Sequence, residues 1–193
     1  VEGGRAVGVE YRQGGETRTV RARREVILCG GAIHSPQLLM LSGIGPAAHL
    51  REQGIELLRD LRGVGRNLQD HPIAVTVWQA AKGNTFEREL RLDRMVWNVL
   101  KWTLSGKGTP AQSPLTAQGF VRSGPGQQQP DLQFQVSHTS YMARLWFPGW
   151  RKGAGHQITT GCVLLDPQSR GEVTLGSADP AAAPKILLNF LAE

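Results

Sequence analysis

The chain has 193 residues, 40% of them hydrophobic, and carries 22 Lys and Arg against 16 Asp and Glu for a net charge of +6. That is enough apolar material for one domain or two small ones, which excludes a disordered chain. No stretch of eighteen apolar residues and no charged-then-apolar leader occurs, so no membrane span or signal peptide is read and a cytoplasmic protein is expected. The positive charge is scattered. Only Arg21, Arg23 and Arg24 cluster, with Glu25 interrupting them, which argues against a concentrated nucleic-acid footprint. Cys29 and Cys162 are far apart and are read as two buried thiols, and no metal-ligand spacing is present.

Taken in order, residues 3–22 read as a hairpin, with Gly3-Gly4 and Gly14-Gly15 as turns. Val26-Ile27-Leu28-Cys29 is an unbroken apolar run with two β-branched residues, which predicts a strand buried on both faces of a parallel sheet. Gly30 and Gly31 end it, and a helix is expected with Ser35 as its N-cap, Pro36 at its first position, Leu38 to Leu41 on its apolar face and Gly43 at its close. Strand, glycine turn and helix together place an anionic ligand group near Gly30 to Ser35, at the helix N-terminus.

Residues 46–53 predict a short helix in which His49 is a surface or packing histidine, and residues 55–58 a short strand. The glycine-rich stretch 62–70 follows, with Asn67, Asp70 and His71 as its polar candidates for a junction hydrogen bond. Ile73, Val75 and Val77 alternate with Ala74, Thr76 and Trp78 as in a half-buried antiparallel strand. From Leu90 to Leu104 apolar residues recur at three and four, predicting an amphipathic helix. The glycine-rich loop from Ser105 to Pro114 is a place for a lid. Further strands are expected at 117–122, 132–136, 158–165, 171–175 and 185–188. The loop 139–155 carries Tyr141, Met142, Trp146, Phe147 and Trp150 among basic residues, and reads as a cover over a pocket or as gap-filling aromatics. The fold class predicted is α+β, with a roughly six-stranded antiparallel sheet and flanking helices.

Three ordered patches carry a resemblance. Gly31-Ala32-x-x-Ser35-Pro36-x-Leu38-Leu39-x-x-Ser42-Gly43-Ile44-Gly45-Pro46 is followed by Gly63-Val64-Gly65-x-Asn67-Leu68-Gln69-Asp70-His71. The third is Ser169-Arg170-Gly171-x-Val173-x-Leu175, continued by Asp179-Pro180 and Pro184-x-Ile186-x-x-Asn189-Phe190-Leu191. Together they resemble the glucose-methanol-choline flavoprotein oxidoreductases. The resemblance implies a central fragment of an FAD-dependent alcohol or choline-like dehydrogenase or oxidase: part of an FAD-binding α/β domain at residues 1–72 and a substrate-binding domain at 73–193. It puts Gly30, Gly31, Ala32, Ser35 and Pro36 at the cofactor.

Thr116, Phe134, His138, Tyr141 and Trp146 are the candidates for the substrate pocket. Thr116 falls where choline-oxidising members often carry an acidic residue, which disfavours a quaternary ammonium substrate. The family's catalytic histidine segment and the G-x-G-x-x-G turn have no match in the chain, so no residue is assigned a catalytic role and the isolated chain is expected to be inactive and to lose FAD. The partners implied are a small-molecule alcohol and a second copy docking on the truncated flavin-domain surface. A non-catalytic interaction domain or a nucleic-acid-binding domain is the alternative.

Overall fold

The computed structural model describes residues 1–113 and 115–192, and it places mixed helices and small sheets in an α+β arrangement. Contacts divide the chain into two compact units, Val1–Asp70 with Gln168–Glu193, and His71–Pro167.

The first unit opens with strands β1 (Gly8–Gln13) and β2 (Glu16–Arg21), paired antiparallel with Tyr11 opposite Arg18. Gly14 and Gly15 both take positive φ between them, as a tight two-residue hairpin turn requires. The predicted strand at Val26–Cys29 does not form: these residues have no strand partner among the described residues, and Ile27 is 73% exposed. A strand is held by hydrogen bonds to a neighbour, so apolar composition alone cannot make one. Cys29 is correspondingly exposed, against the buried thiol expected, while Cys162 is half-buried and both are free.

Helix α1 (Gly31–Leu41) starts five residues earlier than predicted, with Gly30 as N-cap. The His34 N–H already donates to the Gly30 carbonyl at 3.2 Å, so the first turn closes before Ser35, and Pro36 lies inside the helix. The predicted end holds, since Gly43 (φ 81) donates to the Met40 carbonyl just past the C-cap. Strand β3 (Ile44–Gly45) pairs parallel with β4 (Arg59–Asp60) across helix α2 (Ala47–Glu52). Met40, Leu50 and Leu175 form the buried centre, with Leu41, Ile55, Leu57 and Val64 packed around it.

Strand β5 (Arg66–Leu68) leads to the second unit, where β6 (Ile73–Gln79), a 3-10 turn at Phe86–Arg88 and helix α3 (Leu92–Ser105) come next. Helix α3 matches the predicted span and ends on Gly106 at φ 67. None of its residues is buried, and Leu104 is 87% exposed. Pro114, the predicted end of the loop after α3, lies outside the described residues. Strands β7 (Leu115–Val121), β8 (Leu132–Ser137) and β9 (Gln157–Leu164) complete an antiparallel sheet ordered β6-β9-β8-β7. Asp131, at the turn between β7 and β8, accepts hydrogen bonds from the Ser123 hydroxyl and N–H, which hold its carboxyl below the usual carboxylate range.

The sheet has four strands, not the roughly six expected, because β10 (Gly171–Thr174) and β11 (Lys185–Leu187) join the first unit. There β10 pairs antiparallel with β5 and with β11. Residues 168–193 therefore leave the compact unit that was drawn at 73–193, and the expected break at 72 falls between Asp70 and His71. Gly65 makes this pairing possible. It takes φ 78, and a Cβ there would come within 2.1 Å of the Val173 carbonyl oxygen, where the Val173 N–H donates to the Gly65 carbonyl at 2.6 Å.

His49, read as a packing histidine, has a defined bond: its Nε2 accepts from the buried Leu175 N–H at 2.9 Å, which puts the ring proton on Nδ1. Replacing it strands that N–H in the core. His49→Ala is expected to lower unfolding stability by about 1–3 kcal/mol, read as a reduced urea midpoint at unchanged slope; an unchanged midpoint would show the bond to be worth nothing.

The Asp131 carboxyl, depressed in the folded state, contributes stability that is present above its ordinary pKa and lost as pH falls through the lowered one. Amide exchange protection across β7 and β8 should therefore drop at the acid end in the native chain, and the Asp131→Asn variant should show a flatter acid profile.

Candidate functional site

The predicted cofactor residues lie at the start of α1. Gly30 is confined, since a Cβ there would meet the Ser35 nitrogen at 2.9 Å and the His34 Cβ at 3.0 Å. Gly31 is the reverse case: it takes φ 68, is exposed, and has no atom within 4 Å of its missing Cβ. The N–H groups of Gly31, Ala32 and Ile33 have no acceptor within the helix, so an exposed row of donors sits at its positive end. Ser35 and Pro36 fall in the second turn, past that row. The helix is anchored on its other side by Gln37, which accepts from His34 Nδ1 at 2.9 Å and donates to the Ala182 carbonyl at 3.0 Å. The open main chain at Gly31 and Ala32 fits a large polar ligand in close approach.

The second and third sequence patches meet in this same unit. The Gln69 amide lies against the Arg170 guanidinium, and with its oxygen assigned to that side, the orientation that satisfies both groups, the three nitrogens lie at 2.6, 2.8 and 2.9 Å from it. Asn189, at positive φ, donates to the Arg170 carbonyl at 3.1 Å, and Arg66 pairs with Glu172. Polar residues that are far apart along the chain thus form one clamp across β5, β10 and the segment after β11. Their role is to hold the chain, and none presents an unused acid, base or nucleophile. Among the described residues no three His, Cys, Asp or Glu side chains gather as a metal site would need.

The second unit carries a cleft of about 250 Å³ on one face of its sheet. Leu115 comes from β7, Gln135 and Ser137 from β8, and Thr159 and Gly161 from β9. Thr139, Ser140 and Tyr141, directly after β8, form its side wall. The cross-strand register explains the grouping, because Leu115 pairs with Ser137, Ser137 with Thr159 and Gln135 with Gly161, all on one face.

Of the five predicted pocket residues, Tyr141 lines this cleft. Phe134 alternates with Gln133 and Gln135 along β8 and so projects from the opposite face. Thr116 sits at an irregularity in β7, where its hydroxyl and His138 Nδ1 share a hydrogen bond of 2.7 Å beside the lining residue Leu115. The His138 ring also packs edge to face on Phe86, centroids 5.7 Å apart. Trp146 is tied to the 3-10 turn, its indole N–H donating to the Glu87 carbonyl at 3.0 Å. Gln135 was missed in the sequence, where it reads only as the wet side of a strand; its register partners Gly161 and Gln118 are what place it in the cleft.

The family model for GMC oxidoreductase matches residues 1–73. An uncharacterized GMC-type oxidoreductase of Mycobacterium tuberculosis is 41% identical over all 193 residues, which cover 35% of that protein. An oxygen-dependent choline dehydrogenase of Brucella canis is 40% identical over the same 193 residues, 34% of its own length. A formate oxidase structure from Aspergillus oryzae superposes with a TM-score of 0.85 at 30% identity, over 98% of this chain and 37% of that one. The chain thus spans about a third of the length of the relatives it matches. With relatives along its whole length, a family model at its N-terminal part and the family's fold, this chain belongs to the GMC oxidoreductases.

Proposed function

We propose that the chain is the central part of an FAD-dependent alcohol oxidoreductase, with the first unit contributing to the flavin domain and the second to the substrate domain. The observation that carries this is similarity over all 193 residues to an enzyme named as a choline dehydrogenase. The open main chain at Gly31 and Ala32 supports the flavin side, because a bare glycine and unpaired N–H groups at a helix start suit a phosphate-bearing cofactor. When bound, FAD supplies the oxidant that takes a hydride from the carbinol carbon.

The residues of this chain then bind and orient. Gly31 and Ala32 hold the cofactor's polar groups by main-chain donors, while the cleft around Gln135 and Tyr141 holds the alcohol and excludes water. The base that takes the hydroxyl proton is not among the residues assigned in this chain. Thr116, whose hydroxyl shares a hydrogen bond with His138 Nδ1, bears no charge and stands beside the lining residue Leu115.

Two measurements test the reading. FAD contacts in such sites are spread over many groups, so the 193 residues alone are expected to be colourless after dialysis, while the protein encoded by the full reading frame holds flavin that a primary alcohol bleaches under anaerobic conditions. A flavin that stays oxidised with every alcohol would overturn the assignment. The exposed Ile27 and Leu28 leave uncovered apolar surface on the isolated chain, and it is expected to sediment as a dimer or larger species; Ile27→Lys should shift it toward monomer.

A further inference from the structure

The cleft of the second unit has a chemical character that narrows its occupant. Among the described residues it is lined by no Asp, Glu, Lys, Arg or His. A quaternary ammonium or a carboxylate entering it would lose water without gaining a counter-charge, which is costly for an ion and inconsequential for a neutral molecule. Most of its hydroxyls are spoken for, while that of Thr139 is buried without a hydrogen-bond partner among the described residues. Thr159 donates to the Thr139 carbonyl at 2.8 Å, Ser140 accepts from the Met142 N–H at 3.0 Å, and Ser137 has a partner of its own.

Gln135 differs from these. Its side-chain amide lines the cleft and makes no hydrogen bond to another described residue. An amide carries both an acceptor and donors, so it can accept from an alcohol O–H and donate to the carbonyl oxygen that replaces it. Around it the surface is apolar, with Leu115, the Tyr141 ring and the bare floor at Gly161. The floor lies close to a neighbour, since a Cβ at Gly161 would come within 2.7 Å of Ile73 Cδ1, the end of a side chain. A volume of about 250 Å³ corresponds to roughly eight waters at about 30 Å³ each, the size of a small aromatic or aliphatic alcohol.

We propose that this cleft binds a small neutral alcohol and that Gln135 is the specificity-determining residue, holding the substrate's oxygen and, by lacking charge, rejecting cationic and anionic analogues. The proposal rests on the reading of the chain as part of an alcohol oxidoreductase and adds the substrate class and the residue that selects it.

The test is a titration of the isotopically labelled 193-residue chain, followed by amide NMR, with benzyl alcohol, choline and benzoate as probes. Benzyl alcohol is expected to move the Gln135 side-chain amide and the backbone amides of Tyr141 and Gly161, and the two ions to leave them in place. Gln135→Leu should weaken benzyl alcohol about fivefold to tenfold, the worth of one hydrogen bond. Gln135→Asn should fall between, and Gln135→Glu should admit choline. Choline or benzoate shifting the cleft as strongly as the alcohol would overturn the proposal, as would an unaltered alcohol affinity in Gln135→Leu or no response to benzyl alcohol at all. The titration needs no flavin. Its failure leaves flavin reduction in the longer protein untouched, and a flavin-free longer protein leaves the cleft's preference readable, so the two readings fail separately.

Discussion

The pairing of β5 with β10 is the constraint on which the first unit depends. It joins residues 66–68 to residues 171–172, and the contacts that reinforce it are polar: Arg66 with Glu172, Gln69 with Arg170, Asn189 with the Arg170 carbonyl. Behind them the buried Leu175 closes the apolar centre on Met40 and Leu50. Bringing distant segments together costs loop-closure entropy, but that cost grows only by about 0.6 kcal/mol per doubling of loop length. A whole second unit can therefore sit between β5 and β10 without undoing the pairing. The arrangement also explains a dense run of glycines and polar residues in the sequence: Gly65 is needed where the main chains touch, and Gln69 where the guanidinium must be met.

What the sequence could reveal followed from how local each feature is. Helix α3 was legible because its apolar spacing and Gly106 lie within one segment, and the β1-β2 hairpin because Gly14-Gly15 specifies its own turn. The strand at Val26–Cys29 was misread because a strand exists only with a neighbour, and apolar composition describes half of that pair. The membership of β10 and β11 was misjudged for a related reason, since their alternation fits any antiparallel sheet and only the register with Leu68 and Arg66 decides which. Ser35 has the chemistry of an N-cap, yet the chain turns earlier at Gly30, where a bare backbone fits against His34.

The candidate site shows the same division. Tyr141, a candidate from its place in an aromatic loop, lines the cleft, while the neighbouring candidates were chosen by type and not by face. Phe134 and Gln135 are adjacent in sequence and opposite in space, and the residue with the more striking side chain is the one turned away. His138 was a pocket candidate, whereas its Nδ1 is engaged by Thr116 and its ring by Phe86. His49 was passed over although it makes a bond to a buried N–H, because the donor stands 126 positions away.

The two polar clusters in this chain use their groups in opposite ways, and that difference separates scaffold from site. In the first unit the guanidinium, amide and imidazole groups named are turned onto the chain itself, and where the partner is buried, as the Leu175 N–H is, loss of the group reads as stability. In the cleft the hydroxyls of Thr159 and Ser140 are turned onto the chain in the same manner, while the Thr139 hydroxyl is buried without a partner and the Gln135 amide makes no bond to another described residue. An uncommitted amide gains nothing for the fold where it stands. Its hydrogen bonds are left to water or to a ligand, and in a cleft walled by Leu115 and Tyr141 a ligand with an apolar body and one oxygen displaces that water most favourably.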